Sequence, residues 1–171
     1  MADFSAGFAV IWRNESAELL DDRATGEFSR YGITLKTAAS MGFCASKAYD
    51  YIRNLTEQDA KAFYLRAFWK PLLLDVVRDQ AKANKIFDMA VNMGIGEAIR
   101  ITQCALNDLH STLAVDGKIG PRTLACINGA DTFELLTELR ANSLAFYHKL
   151  VDRDPAKYGK YWAGWKARAE Q

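Results

Sequence analysis

The most regular part of the chain is a long apolar stripe that glycines interrupt once. From Val76 to Val91, apolar side chains recur at the spacing of a helix face, and a second set runs from Ala98 to Leu106. Asn92-Met93-Gly94 and Gly96 lie between the two sets, and glycine commonly ends a helix. Two amphipathic helices with a short glycine-containing connection predict an αα-hairpin. We therefore expect a helical body centred on a helix from about Val76 to Met93.

Further helices are predicted on both sides of this hairpin. Apolar residues at helical spacing predict a first helix from Phe4 to about Glu15. Thr56 followed by Asp59 has the spacing of a capping box, which marks the start of a helix. Gly120-Pro121 and Asp131 are two more helix starts, because proline suits the first turn and aspartate caps it. The chain therefore reads as mainly α.

The bulk composition excludes several classes of protein. The chain has 171 residues, half of them hydrophobic, and a net charge of +1. A charge this small argues against a nucleic-acid binder. No run of 18 apolar residues is present, so we expect no integral membrane segment. The first apolar run has no basic residue before it, so we expect a protein made in the cytoplasm without a signal peptide.

Cysteine and histidine provide no pattern for a metal site. Cys44, Cys104 and Cys126 are widely spaced, and so are His110 and His148. Neither a disulfide framework nor a zinc ribbon has this spacing. The chain also contains no phosphate-binding glycine loop. We therefore expect that the protein needs neither a metal nor a cofactor. We also expect it to be a monomer.

The polar segment that ends at Thr34 contains the candidate catalytic acid. Glu15 follows an apolar helix and lies close to Trp12 in the chain. Shielding by aromatic rings raises the pKa of a carboxyl, which a general acid for glycosidic cleavage needs. The residues alone leave open whether Glu15 is such an acid or an ordinary solvated glutamate.

Five further residues are candidates for catalysis or substrate binding together with Glu15. Asp22 and Ser29 follow it on a loop, where they either hold a water or stabilise a cation, or form turns with their own backbone. Tyr31, Tyr64 and Trp69 are either platforms for sugar rings or core residues. The sequence leaves both alternatives open in each case.

Asn92 is a candidate of a different kind. It lies four residues after Asp88, on the same helix face in an otherwise apolar neighbourhood. A buried polar pair needs hydrogen-bond partners. The two side chains therefore either brace the fold or face a substrate cleft.

Five segments of the chain match, in order, the motifs of one enzyme family. They are residues 8–15, 26–34, 55–69, 87–103 and 115–124. The chain resembles the glycoside hydrolase family 108 muramidases, phage-type and secreted lysozymes that cleave peptidoglycan. Its second half is similar to the predicted peptidoglycan-binding region that follows in those proteins.

The resemblance implies a fold, a division of the chain and a reaction. The fold is mainly α and lysozyme-like, with a small N-terminal lobe that has a loop or short β element, plus a helical body. Residues 1–85 are the catalytic region, and residues 86–171 are a helical peptidoglycan-binding region packed with it as one compact unit. Glu15 matches the catalytic glutamate of the family. The reaction is hydrolysis of the β-1,4 bond between N-acetylmuramic acid and N-acetylglucosamine, in the cell wall or periplasm after release or export.

The loop after Glu15 departs from the family pattern. Ser16 and Ala17 stand where the family usually has two glycines, and Arg23 stands where it has an aspartate. Loss of glycine removes backbone freedom, so the second catalytic group remains open between Asp22 and Ser29. Alternatives are a non-catalytic peptidoglycan-binding protein, a secretion accessory protein, or a lytic transglycosylase that yields an anhydro product.

Overall fold

A computed structural model describes residues 1–14, 19–22, 27–40 and 44–171 of the chain. The described residues form ten α-helices and three short β-strands. In chain order they are α1 Phe4–Asn14, β1 Leu20–Asp22, β2 Glu27–Arg30, β3 Ile33–Thr34, α2 Leu35–Ser40, α3 Ala45–Arg53, α4 Glu57–Tyr64, α5 Gln80–Met93, α6 Ile95–Asp108, α7 Pro121–Gly129, α8 Thr132–Arg153, α9 Pro155–Tyr158 and α10 Trp162–Glu170. A π-helical turn spans Leu65–Trp69, and 3-10 turns span Leu74–Val76 and Gly159–Tyr161.

The chain divides into two compact units. The small unit is Phe8–Ala67, and the large unit combines Met1–Gly7 with Phe68–Gln171. The small unit contains the sheet and α2 to α4, whereas α5 to α10 belong to the large unit. The functional division at residue 85 stays a prediction. Among the described residues, no helix is long and apolar enough to cross a membrane.

The three strands form one antiparallel sheet in the order β1-β2-β3. Leu20 pairs with Ser29, and Arg30 pairs with Ile33. Tyr31 and Gly32 connect β2 to β3 with φ angles of 53° and 71°. Positive φ at both central residues belongs to the tight hairpin turn whose twist matches that of the strands. The small β element predicted near residues 20–35 is confirmed.

The predicted αα-hairpin is present, but its first helix begins later than expected. Helix α5 begins at Gln80, so the predicted start at Val76 is wrong. Asp79 caps α5, because its Oδ1 accepts from the Lys82 backbone N–H at 3.0 Å. Val76 instead ends a 3-10 turn, and Val77 is extended and buried. Buried apolar residues continue across this break, so periodicity alone does not reveal it.

The local start signals in the sequence are confirmed. The Thr56 hydroxyl accepts from the Asp59 N–H at 3.1 Å, and the Asp59 carboxylate accepts from the Thr56 N–H at 3.0 Å. These reciprocal bonds are the capping box of α4. Pro121 occupies the first turn of α7, and Asp131 caps α8. Each signal acts within a few residues of the helix end that it specifies.

Two buried lysines of α5 bind the carbonyl ends of other helices in the large unit. Lys82 Nζ donates to the carbonyls of Ile127 and Ala130 at 3.0 and 2.6 Å, at the end of α7. Lys85 Nζ donates to two carbonyls in the last turn of α10 at 3.1 and 2.7 Å. The last carbonyls of a helix lack partners within it and carry its negative dipole end, so a cation stabilises them. Burial lowers the pKa of Lys85 to about 8.

The lowered pKa of Lys85 predicts a pH-dependent stability. Between about pH 8 and the ordinary lysine value of 10.5, the unfolded chain binds this proton and the folded chain does not. The contribution of Lys85 to stability therefore rises with pH in this window. Relative to Lys85→Met, the wild-type free energy of unfolding should rise by about 2 kcal/mol from pH 7.5 to 9.5. Urea unfolding measures it, and a pH-independent difference would contradict the buried, depressed lysine.

Candidate active site

The turn at Tyr31 is the place where α1, α4 and the sheet of the small unit meet. The Trp12 ring stacks on the Tyr31 ring, with centroids 5.0 Å apart and an interplanar angle of 22°. Tyr64 Oη donates to the Tyr31 carbonyl at 2.9 Å in a buried hydrogen bond. The Arg30 guanidinium lies 5.2 Å from the Tyr31 ring centroid. These contacts place the carboxyl end of α1 beside the β2–β3 turn.

Helix α1 reaches this turn because its apolar residues share one face. Phe8, Ile11 and Trp12 are spaced three and four residues apart, which aligns their side chains on a helix. Ile11 and Phe8 are buried. The Phe8 ring lies 5.3 Å from Trp12 and 5.9 Å from Tyr64, measured between centroids. An aromatic cluster thus connects α1 to α4 within the small unit.

A pocket of about 480 Å³ opens on the sheet of the small unit. This volume is in the usual range for small-molecule sites. Its lining combines hydroxyls, an acid, a base and apolar surface, namely Glu27, Phe28, Ser29, Thr34, Leu35 and Lys36. Strand pairing places Ser29 directly opposite Thr34. The pocket can therefore offer hydrogen bonds and apolar contact to a sugar ring.

The structure brings two of the three predicted catalytic residues onto one strand pair. Glu15 lies outside the described residues, and it follows Asn14, the last residue of α1, in the chain. Asp22 ends β1 at the register position opposite Glu27. Ser29 lies on β2 and lines the pocket. The Asp22 and Ser29 positions are diagonal neighbours on the ladder, where Cα atoms lie roughly 7–8 Å apart.

The three aromatic candidates lie in the interior. Tyr64 and Trp69 are 1% and 0% exposed, and Tyr31 is 9% exposed. Trp69 Nε1 donates to Asp75 Oδ1 at 2.8 Å, and its ring packs edge-on against Phe87. A platform for a sugar must expose one face of its ring. The burial of these three rings therefore favours the second alternative, that they are core residues.

Asn92 makes a bracing contact in the large unit. Its Nδ2 donates to Tyr147 Oη at 2.7 Å, and Asp88 Oδ1 accepts from Arg168 Nε at 2.9 Å. These bonds connect α5 to α8 and α10. Burial raises the pKa of Tyr147 to about 12, so its hydroxyl stays protonated at neutral pH. The geometry therefore favours the role in which Asp88 and Asn92 brace the fold, rather than face a substrate cleft.

Sequence reasoning missed five residues of the pocket, namely Glu27, Phe28, Thr34, Leu35 and Lys36. They come together only through strand pairing and the helix start that follows β3. The Tyr31-Gly32 dipeptide was the available signal, because a tight turn there brings the residues on either side opposite each other. Reading it as a hairpin turn would have placed Thr34 across from Ser29.

Comparison with solved structures shows the fold. The structure titled "Structure of Brucella abortus SagA" matches with a TM-score of 0.78 and 23% sequence identity, over 98% of this chain and 89% of that one. In all, 12 chains of solved structures match. The likeness shows a shared fold, and the predicted lysozyme-like, mainly α fold class is confirmed.

Comparison with family models then identifies the family. The model described as glycosyl hydrolase 108 matches residues 8–94, and the one described as a predicted peptidoglycan domain matches residues 97–170. The chain belongs to the glycosyl hydrolase 108 family and is a glycoside hydrolase that acts on peptidoglycan. No sequence among the curated proteins matches it.

The bond between Tyr64 and Tyr31 predicts a specific loss of stability. Tyr64→Phe removes the donor from a buried carbonyl, and an unsatisfied buried acceptor costs about 1–3 kcal/mol. We expect the free energy of unfolding to fall by about that amount in urea titrations. Tyr49→Phe, at an exposed tyrosine of the same unit, is the matched control and should change little. Equal effects of the two variants would show that the Tyr31 turn does not depend on this bond.

Proposed function

We propose that the chain hydrolyses the β-1,4 bond between N-acetylmuramic acid and N-acetylglucosamine, with Glu15 as the general acid. Family membership supports a glycosidase. The observation that carries the assignment of the acid is the stack of Trp12 on Tyr31. It fixes the last turns of α1 beside the sheet, and Glu15 is the next residue after α1 in the chain. The acid therefore follows directly after a helix whose last turn contacts the β2–β3 turn.

Glu15 acts in its protonated form. Its carboxyl proton passes to the glycosidic oxygen as the bond from that oxygen to the anomeric carbon breaks. The departing sugar leaves as an alcohol, and positive charge develops on the ring that remains. Water attacks that carbon, its proton passes to the second group or to solvent, and solvent returns a proton to the Glu15 carboxylate, which restores the enzyme. Enzymes usually keep such a carboxyl protonated by shielding it from water, which raises its pKa.

Asp22 or Ser29 supplies the second group. A carboxylate at Asp22 stabilises the positive ring or takes a proton from the attacking water, and a hydroxyl at Ser29 orients that water. Two observations support this pair: their diagonal positions on the β1–β2 ladder, and the place of Ser29 in the pocket wall. Both roles require a sugar to lie against the sheet.

The pocket on the sheet is the proposed subsite for that sugar. Ser29 and Thr34 offer hydroxyls on facing strands, and Phe28 offers apolar surface. Lys36 adds a cation for a carboxylate of the substrate. The protein reaches the cell wall after release or export from the cytoplasm, and it works as a monomer.

Glu15→Gln tests the acid. The change keeps the size of the side chain but removes the proton that is transferred, and general acids contribute typically 10²–10⁴-fold. Clearing of a peptidoglycan suspension should therefore slow by at least about 100-fold, with an unchanged Tm. Glu57→Gln, at an exposed glutamate of α4, should clear peptidoglycan at the wild-type rate. Full activity of Glu15→Gln would remove the proposed acid.

The same assay includes Asp22→Ala and Ser29→Ala. At least one of them should lower the rate by about tenfold or more, because the loss of a group that stabilises developing charge raises the barrier by about 1.4 kcal/mol per factor of ten. The Tm of each variant shows whether the fold is intact. Wild-type rates in both would exclude these residues as the second group.

A further inference from the structure

The carboxyl-terminal residues of the large unit carry aromatic side chains that the proposed reaction does not use. Tyr158, Tyr161, Trp162 and Trp165 come from α9, the 3-10 turn after it, and α10. Tyr161 is 39% exposed, and the other three are half-buried. We call these four residues the aromatic surface. Aromatic rings with an apolar body and a polar tip are typical of binding surfaces that are partly apolar and partly wet.

Part of the aromatic surface is a stack that runs from the core to solvent. The buried Tyr147 ring stacks on Trp165, with centroids 5.1 Å apart and an interplanar angle of 20°. Trp165 in turn stacks on Tyr161 at 5.4 Å and 28°. The Tyr147 hydroxyl is held by Asn92 at 2.7 Å. The exposed ring of Tyr161 is therefore fixed before any ligand arrives, which lowers the entropic cost of binding.

Cations lie over the outer rings of this surface. Lys157 Nζ is 4.9 Å from the Tyr158 ring centroid, and Lys160 Nζ is 4.8 Å from that of Tyr161. Residues 155–171 contain four basic residues and one acid, whereas the whole chain has a net charge of only +1. Hydrogen bonds from Lys157 and Arg153 to the Tyr158 hydroxyl also lower the pKa of that tyrosine. The surface is thus both aromatic and locally basic.

The combination selects a ligand with flat apolar faces and negative charge. A sugar ring in a β-1,4 glycan presents C–H groups on its faces, and these pack on aromatic rings. Peptidoglycan adds carboxylates on the peptides attached to its muramic acid units, which complement the lysines. The surface also lies within residues 97–170, which match the model described as a predicted peptidoglycan domain.

We propose that the aromatic surface is the glycan-binding site of the large unit. Sugar rings stack on the outer faces of Tyr161 and Tyr158 in place of the Lys160 and Lys157 ammonium groups, and the displaced lysines bind the carboxylates of the attached peptides. The identity of the polymer rests on the proposed function. A second binding region on the same chain keeps the polymer close and raises the effective concentration of cleavable bonds.

Sedimentation with purified, insoluble peptidoglycan tests the aromatic part. The full chain is used in a Glu15→Gln background, so that the polymer is not consumed. Tyr161→Ala should weaken binding about tenfold, as expected when an aromatic anchor is removed, whereas Tyr161→Phe should bind like the parent. Phe133→Ala, at a 77% exposed aromatic residue at the start of α8 outside the aromatic surface, is the matched control and should also bind like the parent. Equal binding by Tyr161→Ala and Phe133→Ala would overturn the proposal.

A second set of variants in the same sedimentation experiment tests the positive charge of Lys157 and Lys160. The double change Lys157→Gln with Lys160→Gln should weaken binding to peptidoglycan and flatten its dependence on salt. The same change at Lys47 and Lys118, which are exposed lysines elsewhere, should leave both properties unchanged. Chitin, a neutral β-1,4 polymer, should bind more weakly than peptidoglycan and should not respond to loss of Lys157 and Lys160. Equal losses on chitin and peptidoglycan would overturn the assignment of the lysines to carboxylates.

The last arm separates this proposal from the catalytic one and from other ligands. Loss of peptidoglycan binding in Tyr161→Ala supports the site even if the wild type cleaves nothing. Unchanged binding overturns the site even if Glu15 proves catalytic. Parallel sedimentation uses phosphatidylglycerol vesicles and a single-stranded oligonucleotide. If Tyr161→Ala loses binding only to one of these, the surface is not a glycan site.

Discussion

The small unit depends on how the Tyr31-Gly32 turn is held. The backbone at Tyr31 has a positive φ, which a residue with a bulky side chain rarely adopts without support. Support comes from the Trp12 stack and from the Tyr64 hydrogen bond to the Tyr31 carbonyl. One turn thereby joins α1, the sheet and α4. Because the proposed acid follows α1 and the proposed second group lies on the sheet, the same contacts determine where the chemistry takes place.

The large unit uses a different principle, in which polar side chains of one buried helix reach several others. Asp88 binds Arg168, Asn92 binds Tyr147, and Lys85 binds the last carbonyls of α10. Paired buried charges and satisfied polar groups fix one arrangement of helices, since a shifted arrangement would leave them without partners. The contact of Asn92 with Tyr147 also anchors the stack that ends at Tyr161. A brace in the core thus sets the position of a surface ring.

The sequence predicts features that are decided within a few residues. The capping box of Thr56, the start of α7 at Pro121 and the end of α5 before Gly94 are local, and each is confirmed. Features that need distant partners are harder to predict. The sequence predicts the start of α5 too early, at Val76, because core residues before and after the break are equally apolar. The interior positions of Tyr64 and Trp69 depend on which helix packs against them, and spacing does not contain that information.

In the candidate site, too, local features are predictable from the sequence, whereas features that need distant partners are not. An ordered series of short motifs is enough to recognise the family and to single out Glu15, since motif order is a property of the chain itself. The pocket, in contrast, depends on the pairing of β2 with β3, because Ser29 and Thr34 meet only across the hairpin. Glu15 lies outside the described residues, so its role remains a proposal that depends on the family and on the position of α1.

Product analysis in ¹⁸O-labelled water tests the central claim most directly. Purified peptidoglycan is digested with wild type and with Glu15→Gln, and the soluble fragments are analysed by mass spectrometry. The account predicts fragments that end in reducing N-acetylmuramic acid with one ¹⁸O atom in the wild-type digest, and none with Glu15→Gln. Anhydro ends, reducing N-acetylglucosamine ends, or labelled fragments from the Glu15→Gln digest would contradict it.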